Sequence, residues 1–155
     1  MTTDTVADVR TWLGFELSGQ QYAVPLADVR EILRAETPTP VPGAPDDVLG
    51  IINLRGSIVT VLDGCARLGL AAADAGPNQR LVIFHDEQES IGMRIDALQD
   101  VLDLDTRELM PAPPGRAARD DDPVMGVLHR GDGFIALLET RKLCRLQTSA
   151  NEAST

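Results

Sequence analysis

Few side chains in this sequence have the types and spacing that catalysis or metal binding requires. His85 and His129 lie in apolar stretches without a DxH, HxH or HExxH pattern, which favours structural roles. Asp120 to Asp122 form an acidic run that lacks the alternating oxygen donors of a calcium loop. Cys65 and Cys144 are far apart, without a CxxC motif, and are interpreted as small apolar residues. We therefore expect no enzyme activity, no catalytic residue, no metal and no cofactor.

Arg55 is the charged residue whose setting indicates binding. It lies in the stretch 50–63, where two aliphatic runs flank Arg55, Gly56 and Ser57, and this pattern predicts a tight hairpin. Both faces of the predicted strands carry apolar residues, so one face needs a cover from a neighbouring subdomain or a partner protein. An arginine at the edge of such a patch is a common binding anchor, and a solvated turn residue is the alternative interpretation. Arg55 would lie near Glu31 if the strand through Val29 paired beside this hairpin.

The elements around Arg55 predict a β-rich protein with short helices. Four hairpins are expected, each from two apolar runs around a turn, over 12–25, 50–63, 80–95 and 124–138. A further strand is predicted over 29–34, after a turn at 26–28. Prolines make 37–45 an extended connector, followed by a short turn of helix at 46–49. Asp63 is a predicted N-cap of a short helix.

The two halves of the chain resemble each other. Phe15 corresponds to Phe84 and, beyond the loops, Gly50 corresponds to Gly126. Each half contains a hairpin, an apolar strand, a loop, a hairpin opened by glycine and an acidic helix start. We therefore predict two copies of a five-stranded unit, over about 12–70 and 80–145.

Composition restricts the possible partners and location. The chain has 155 residues, a net charge of −10 and a pI near 4.5, and its 14 basic residues are scattered. Nucleic acid and anionic membrane surfaces are therefore excluded as expected partners. Residues 1–11 contain no apolar segment that could serve as a signal peptide or membrane anchor, so we expect a flexible tail, no direct membrane insertion and a cytoplasmic location. Residues 146–155 are predicted to form a second flexible tail.

Several stretches together resemble the CheW-like family of bacterial chemotaxis coupling proteins. The likeness covers about 12–145 and is carried by 15–17, 22–25, 28–32, 42–45, 50–56, 58–63, 96–102, 110–113 and 126–138. Its most specific part is the Asn53-Leu54-Arg55-Gly56 hairpin. The resemblance implies an all-β domain with short helices, built from two interlocked five-stranded SH3-like β-barrels.

The resemblance also implies a function. It is that of a non-enzymatic adaptor, or scaffold, which couples the cytoplasmic tips of chemoreceptors to the histidine kinase CheA. Positions that match receptor-binding residues of the family are Val29, Glu31, Gly50 and Arg55. The kinase's regulatory domain is expected to pair barrel to barrel with the adaptor, and its contact residues stay unassigned.

Two alternatives to this function stay open at this point. The chain has Asp63-Gly64-Cys65 where the family usually has Asp-Leu-Arg, so an adaptor of a twitching-motility or other non-flagellar chemosensory system is the first alternative. The second is a small-ligand-binding β-barrel. Barrels this small are normally filled by their own side chains, which disfavours that class.

Overall fold

Ten β-strands and a few short helical turns make up the described part of the protein. The computed structural model describes residues 9–71, 76–85, 90–111 and 122–145. The strands are β1 (Val9–Leu17), β2 (Gln20–Pro25), β3 (Val29–Arg34), β4 (Val48–Leu54), β5 (Ser57–Asp63), β6 (Arg80–Phe84), β7 (Ile91–Ile95), β8 (Ala97–Asp105), β9 (Val124–Arg130) and β10 (Gly133–Leu138). The helices are α1 (Gly64–Arg67) and α2 (Thr140–Leu143), with 3-10 turns at Leu26–Asp28 and Thr106–Glu108.

The strands form two five-stranded sheets that exchange hairpins between the halves of the chain. Sheet 1 has the order β8-β1-β2-β10-β9, and sheet 2 has the order β3-β6-β7-β5-β4. Each sheet therefore contains the leading hairpin of one half and the third strand and last hairpin of the other half. The predicted division into barrels over about 12–70 and 80–145 is wrong in this respect, because the parallel pairs β2–β10 and β5–β7 join the halves within each sheet.

The strand registers of the two halves correspond residue by residue. Phe15 pairs with Tyr22 across β1 and β2, and the corresponding Phe84 pairs with Ile91 across β6 and β7. The hairpins β4–β5 and β9–β10 also match, and each has a β-bulge beside its leading glycine. The internal repeat predicted from the sequence is thus present in the backbone pairing.

A single backbone bridge draws the edges of each sheet together. In sheet 2, Thr39 follows edge strand β3 and pairs with Ile51 in the other edge strand, β4. In sheet 1, Met110 follows edge strand β8 and pairs with Val127 in the other edge strand, β9. Both sheets therefore curl towards closure, as SH3-like barrels do. The prediction of an all-β protein of two five-stranded SH3-like units is confirmed.

Three clusters of buried apolar side chains hold the sheets together. The largest takes side chains from both sheets and from both α-helices, including Phe15, Leu62, Phe84 and Leu143. Each of the other two clusters fills the space enclosed by the curl of one sheet. The cluster of sheet 1 contains Trp12, Ala23, Leu104, Leu128, Ile135 and Leu137, and that of sheet 2 contains Ile52, Val59, Val61, Leu81 and Ile83. Since the sheets share one core, neither is expected to fold alone.

Arg67 adds a polar link between the two halves. Its side chain is buried, and its guanidinium donates to the carbonyl oxygens of Lys142, Leu143 and Arg145 at 2.8 to 3.0 Å. It also lies 3.7 Å from the carboxylate of Asp47. A positive charge at the end of a helix satisfies carbonyls that have no partner within that helix, so Arg67 fixes α2 to α1.

Some predicted boundaries need correction. β1 begins at Val9, so residues 9–11 belong to the strand and not to the predicted tail, because Val9 and Arg10 pair with β8. The predicted turn of helix at 46–49 is a turn that leads directly into β4. Residues 1–8 and 146–155, together with Asp120 and Asp121, lie outside the described residues. Within the described ranges, no helix has the length and apolar character needed to cross a membrane.

Candidate functional site

The tip of the β4–β5 hairpin holds Arg55 in an unusual backbone conformation. Leu54 pairs with Ser57, which leaves Arg55 and Gly56 as a two-residue loop. Their φ angles are 50° and 86°, and a type I′ turn requires both to be positive. The side-chain oxygen of Asn53 accepts a hydrogen bond from the Gly56 amide at 3.0 Å and stabilises the turn. An arginine with positive φ costs about 1 kcal/mol or more, so this position is not optimised for backbone stability alone.

The side chain of Arg55 forms an ion pair with Glu31. Its Nη2 atom donates to the Oε2 atom of Glu31, and Arg30 Nε lies 3.9 Å from the same oxygen. Glu31 is on β3, which pairs with β6 and lies at the opposite edge of sheet 2 from β4. The premise that β3 pairs beside the hairpin is therefore wrong. Arg55 reaches Glu31 because the sheet curls and brings its two edges together.

Arg55 remains accessible despite this ion pair. Its side chain is 63% exposed, against 23% for Glu31. An exposed ion pair contributes only about 0.2–1 kcal/mol to stability, so a partner that offers a better acceptor could compete for the guanidinium at little cost. The ion pair fixes where the charge is presented without burying it.

An uncovered apolar side chain accompanies the charge. Ile58 pairs across from Asn53 next to the turn and is 60% exposed. Farther along β5, Val59 and Val61 fill sheet 2, while Leu62 lies in the core shared by both sheets. Ile58 and Leu62 lie on the same face of β5. The neighbouring sheet covers this face at Leu62, whereas the end near Arg55 stays open. We call Glu31, Arg55 and Ile58 the hairpin-end surface.

The other two candidate residues occupy different settings. Val29 is half-buried, pairs with Phe84 and packs against the shared core, two residues before Glu31. Gly50 is buried at the opposite end of β4 from Arg55, with a φ of 149°, and Thr39 crosses over it. The structure thus brings Glu31 and Arg55 together, places Val29 at the rim of the core and leaves Gly50 apart. A receptor-binding role for all four residues stays a prediction.

Two features of this surface were absent from the sequence-based prediction. The sequence predicts a second apolar face on this hairpin, but it does not indicate that Ile58 is the residue of that face that stays uncovered. The stabilising role of Asn53 could have been predicted from the sequence, since an asparagine three residues before the glycine of a tight turn commonly accepts a backbone hydrogen bond.

Several of the other polar and titratable groups form structural contacts. His129 packs edge-on against Phe134, with ring centroids 5.2 Å apart. Cys65 is buried, with its Sγ atom 3.5 Å from Asp96 Oδ2, and neither cysteine forms a disulfide. Hydrogen bonds from Arg107 lower the pKa of Asp105 at the end of β8, in sheet 1. Among the described residues, no three His, Cys, Asp or Glu side chains gather as a metal site would require.

Comparison with known proteins identifies the family. The CheW-like domain matches residues 11–147, which is most of the chain. The chain belongs to the CheW-like family. It is 34% identical over 131 residues to the chemotaxis protein CheW of Rhizobium meliloti (strain 1021), covering 84% of each chain. It is also 29% identical over 141 residues to protein FrzA of Myxococcus xanthus, covering 90% of this chain and 86% of FrzA.

A solved structure supports the same CheW-like assignment. The scaffolding protein TtCheW of Thermoanaerobacter tengcongensis superposes with a TM-score of 0.77 at 26% identity. The match covers 89% of this chain and 94% of TtCheW. The family resemblance and the fold expected from it are both confirmed. The Asn53-to-Gly56 motif that suggested the CheW-like family also forms the turn that presents Arg55.

Proposed function

We propose that this CheW-like chain is a non-enzymatic adaptor that couples chemoreceptors to the histidine kinase CheA in a bacterial chemosensory array. Support comes from the family match, from relatives named chemotaxis protein CheW and from the scaffolding protein of similar structure. The mechanism is passive: one surface binds the cytoplasmic tip of a receptor, and another binds the regulatory domain of the kinase. The protein acts in the cytoplasm and reaches the membrane only through its receptor partner.

The hairpin-end surface is the observation that carries this proposal. It combines a cation at a fixed position with uncovered apolar area, which is the composition of a protein-binding anchor. We assign receptor binding to Val29, Glu31, Gly50 and Arg55. Arg55 is the contact residue, Glu31 orients its guanidinium, and Val29 supplies apolar area at the rim of the core. Gly50 acts in a different way that is developed below.

Kinase binding uses a different face of the molecule, and its contact residues are not assigned. Each interface is expected to bury no more than about 1,200–2,000 Å² in total, which suits a reversible complex. Repetition of many such contacts in an array strengthens the assembly without requiring tight individual interfaces. The net charge of −10 opposes binding to nucleic acid.

Replacement of Arg55 by alanine tests the proposal. We expect Arg55→Ala to weaken binding of a receptor-tip fragment by at least about tenfold, with unchanged binding of the kinase regulatory domain. Arg107→Ala is the matched control, because Arg107 is 51% exposed and pairs with a carboxylate, but lies in the 3-10 turn that follows β8. Wild-type receptor binding by folded Arg55→Ala would remove the hairpin-end surface from the receptor site.

The interior of the two described sheets gives no support to the ligand-binding alternative. The space inside each sheet is filled by the buried side chains of its own cluster, which leaves no enclosed room for a ligand there. Native mass spectrometry of the purified protein checks this point, and a bound small molecule would favour the alternative.

The choice of chemosensory system is a separate question. Relatives of this chain include FrzA of Myxococcus xanthus and PilI of Pseudomonas aeruginosa (strain PAO1), the latter 24% identical over 79% of this chain and 70% of PilI. Co-purification from the native cell would identify the receptor and kinase that this adaptor serves.

A further inference from the structure

Gly50 lies directly under a crossing segment of backbone. Residues 38–41, here called the strap, run from the β3 side of sheet 2 over the start of β4. Thr39 N donates to Ile51 O at 2.8 Å, and Ile51 N donates to Thr39 O at 2.9 Å. A Cβ atom on Gly50 would overlap the carbonyl oxygen of Thr39 and lie 2.6 Å from its carbonyl carbon. Only a residue without a side chain therefore lets the strap occupy this position.

The backbone of Gly50 imposes the same requirement independently. Its φ of 149° lies in a region that residues with a side chain rarely adopt. Any other residue at this position would both strain β4 and displace the strap. Since the overlapping atoms belong to backbone, no rotamer change relieves the clash.

The second half of the chain contains an equivalent arrangement. Gly126 is the third residue of β9, as Gly50 is of β4, and a Cβ atom on it would overlap the carbonyl oxygen of Met110 and lie 2.8 Å from Leu109 Cγ. Met110 exchanges two backbone hydrogen bonds of 2.8 Å with Val127. Sheet 1 therefore contains the same glycine and crossing segment, but its hairpin turn has Gly131 where sheet 2 has Arg55. This copy provides an internal control.

The strap is also exposed and joins the two edges that form the hairpin-end surface. Thr39, Pro40 and Val41 are exposed, with Val41 at 41%. Along the chain, the strap follows β3, which carries Glu31, and precedes β4, which leads to Arg55. Its position therefore helps to set the separation of these two edges.

We propose that Gly50 is a positioning residue for receptor binding, which acts by allowing the strap to lie across β4 and makes no contact with the receptor itself. Being buried and without a side chain, Gly50 offers a partner nothing to touch. This inference rests on the proposed receptor-binding function, and it extends the receptor site to the strap.

Two variants displace the strap by different means. Gly50→Ala introduces the clash, whereas Thr39→Pro keeps Gly50 and removes the amide that donates to Ile51. In both variants we expect at least about tenfold faster hydrogen exchange of the Ile51 amide and at least about tenfold weaker binding of a receptor-tip fragment. Binding of the kinase regulatory domain is expected to stay within about twofold of wild type, which a general loss of folding would not allow.

Two further variants complete the test. Gly126→Ala introduces the same clash in sheet 1, so it is expected to speed exchange of the Val127 amide and leave receptor binding within about twofold of wild type. Arg55→Ala serves as the reference for the proposed function. If Arg55→Ala binds the receptor tip normally, the proposed function fails, whatever the strap variants do.

The inference itself is overturned by any of three results obtained while Arg55→Ala shows its defect. The first is a Thr39→Pro protein that has lost protection at Ile51 and still binds the receptor tip normally. The second is a Gly50→Ala protein that has lost binding with full protection at Ile51, which would indicate direct contact. The third is equal loss of receptor binding in Gly126→Ala. If Gly50→Ala does not fold, Thr39→Pro decides the outcome.

Discussion

Replacing Arg55 by asparagine separates its contribution to the fold from its contribution to binding. Asparagine followed by glycine is a favoured pair for a type I′ turn, and Arg55 and Gly56 have the φ angles of 50° and 86° that this turn needs. Relief of the positive φ at an arginine is expected to stabilise the protein by about 1 kcal/mol. Loss of the ion pair with Glu31 removes about 0.2–1 kcal/mol, because Arg55 is 63% exposed.

The two effects nearly cancel, so the free energy of unfolding of Arg55→Asn is expected to lie within about 1 kcal/mol of the wild-type value. Thermal denaturation followed by circular dichroism would then show a change in Tm of no more than about 4 °C. Receptor-tip binding, measured by calorimetry on the same protein, is expected to weaken by at least about tenfold because the guanidinium is gone.

Ser18→Asn is the matched control. Ser18 and Gly19 have φ angles of 50° and 78° in the β1–β2 turn, the same geometry as Arg55 and Gly56, without a charge. This variant is expected to be as stable as wild type or slightly more so, with normal receptor binding. If the free energy of unfolding of Arg55→Asn is lower than that of wild type by more than about 2 kcal/mol, the ion pair with Glu31 is needed for stability and the reasoning is wrong. Unchanged receptor binding would refute the role of Arg55 as anchor.

Three further variants probe the same structure. A double variant that swaps the two charges, Glu31→Arg with Arg55→Glu, is expected to restore the ion pair but not receptor binding. A double-mutant cycle with the two single variants, measured once for stability and once for receptor binding, distinguishes these two effects. Ile58→Asp is expected to keep wild-type Tm, since Ile58 is 60% exposed, and to weaken receptor binding in a pull-down; a loss of stability would show that Ile58 is covered. Arg67→Ala is expected to destabilise the protein by about 3 kcal/mol in urea denaturation, because it leaves three carbonyls and Asp47 without their partner; a change below about 1 kcal/mol would contradict this account.

Local structure was largely predictable from the sequence because its causes are local. Apolar runs on both sides of polar or glycine-containing turns predicted the four hairpins, and Gly56 indicated the positive φ of the central turn. The proline-rich connector over 37–45 was also recognised as helix-free. The N-cap at Asp63 is present, with its carboxylate accepting from the Cys65 amide at 3.1 Å.

The exchange of hairpins between sheets was not predictable in the same way. Because the two halves have the same pattern of strands, a hairpin fits equally well with the later strands of its own half or of the other half. The choice depends on burial across the whole molecule, and in the exchanged arrangement side chains of both halves, such as Phe15 and Phe84, meet in one core.

The candidate site shows the same limit. Glu31 and Arg55 were both identified, but their contact arises from the curl of sheet 2 and not from strand pairing. Thr39 likewise crosses over Gly50, and nothing in the sequence around either residue indicates that they meet. Val29 is half-buried against the core, so the variant Val29→Asp would disturb folding as well as binding and is not a clean test of receptor binding.

A titration of the ¹⁵N-labelled protein with a receptor-tip fragment, followed by NMR, tests the central claim most directly. The largest shifts are predicted at the amides of Glu31, Arg55 and Ile58, with those of the equivalent turn at Arg130–Gly133 in sheet 1 unchanged. Shifts centred on the sheet 1 turn, with Arg55 and Glu31 unaffected, would contradict the account.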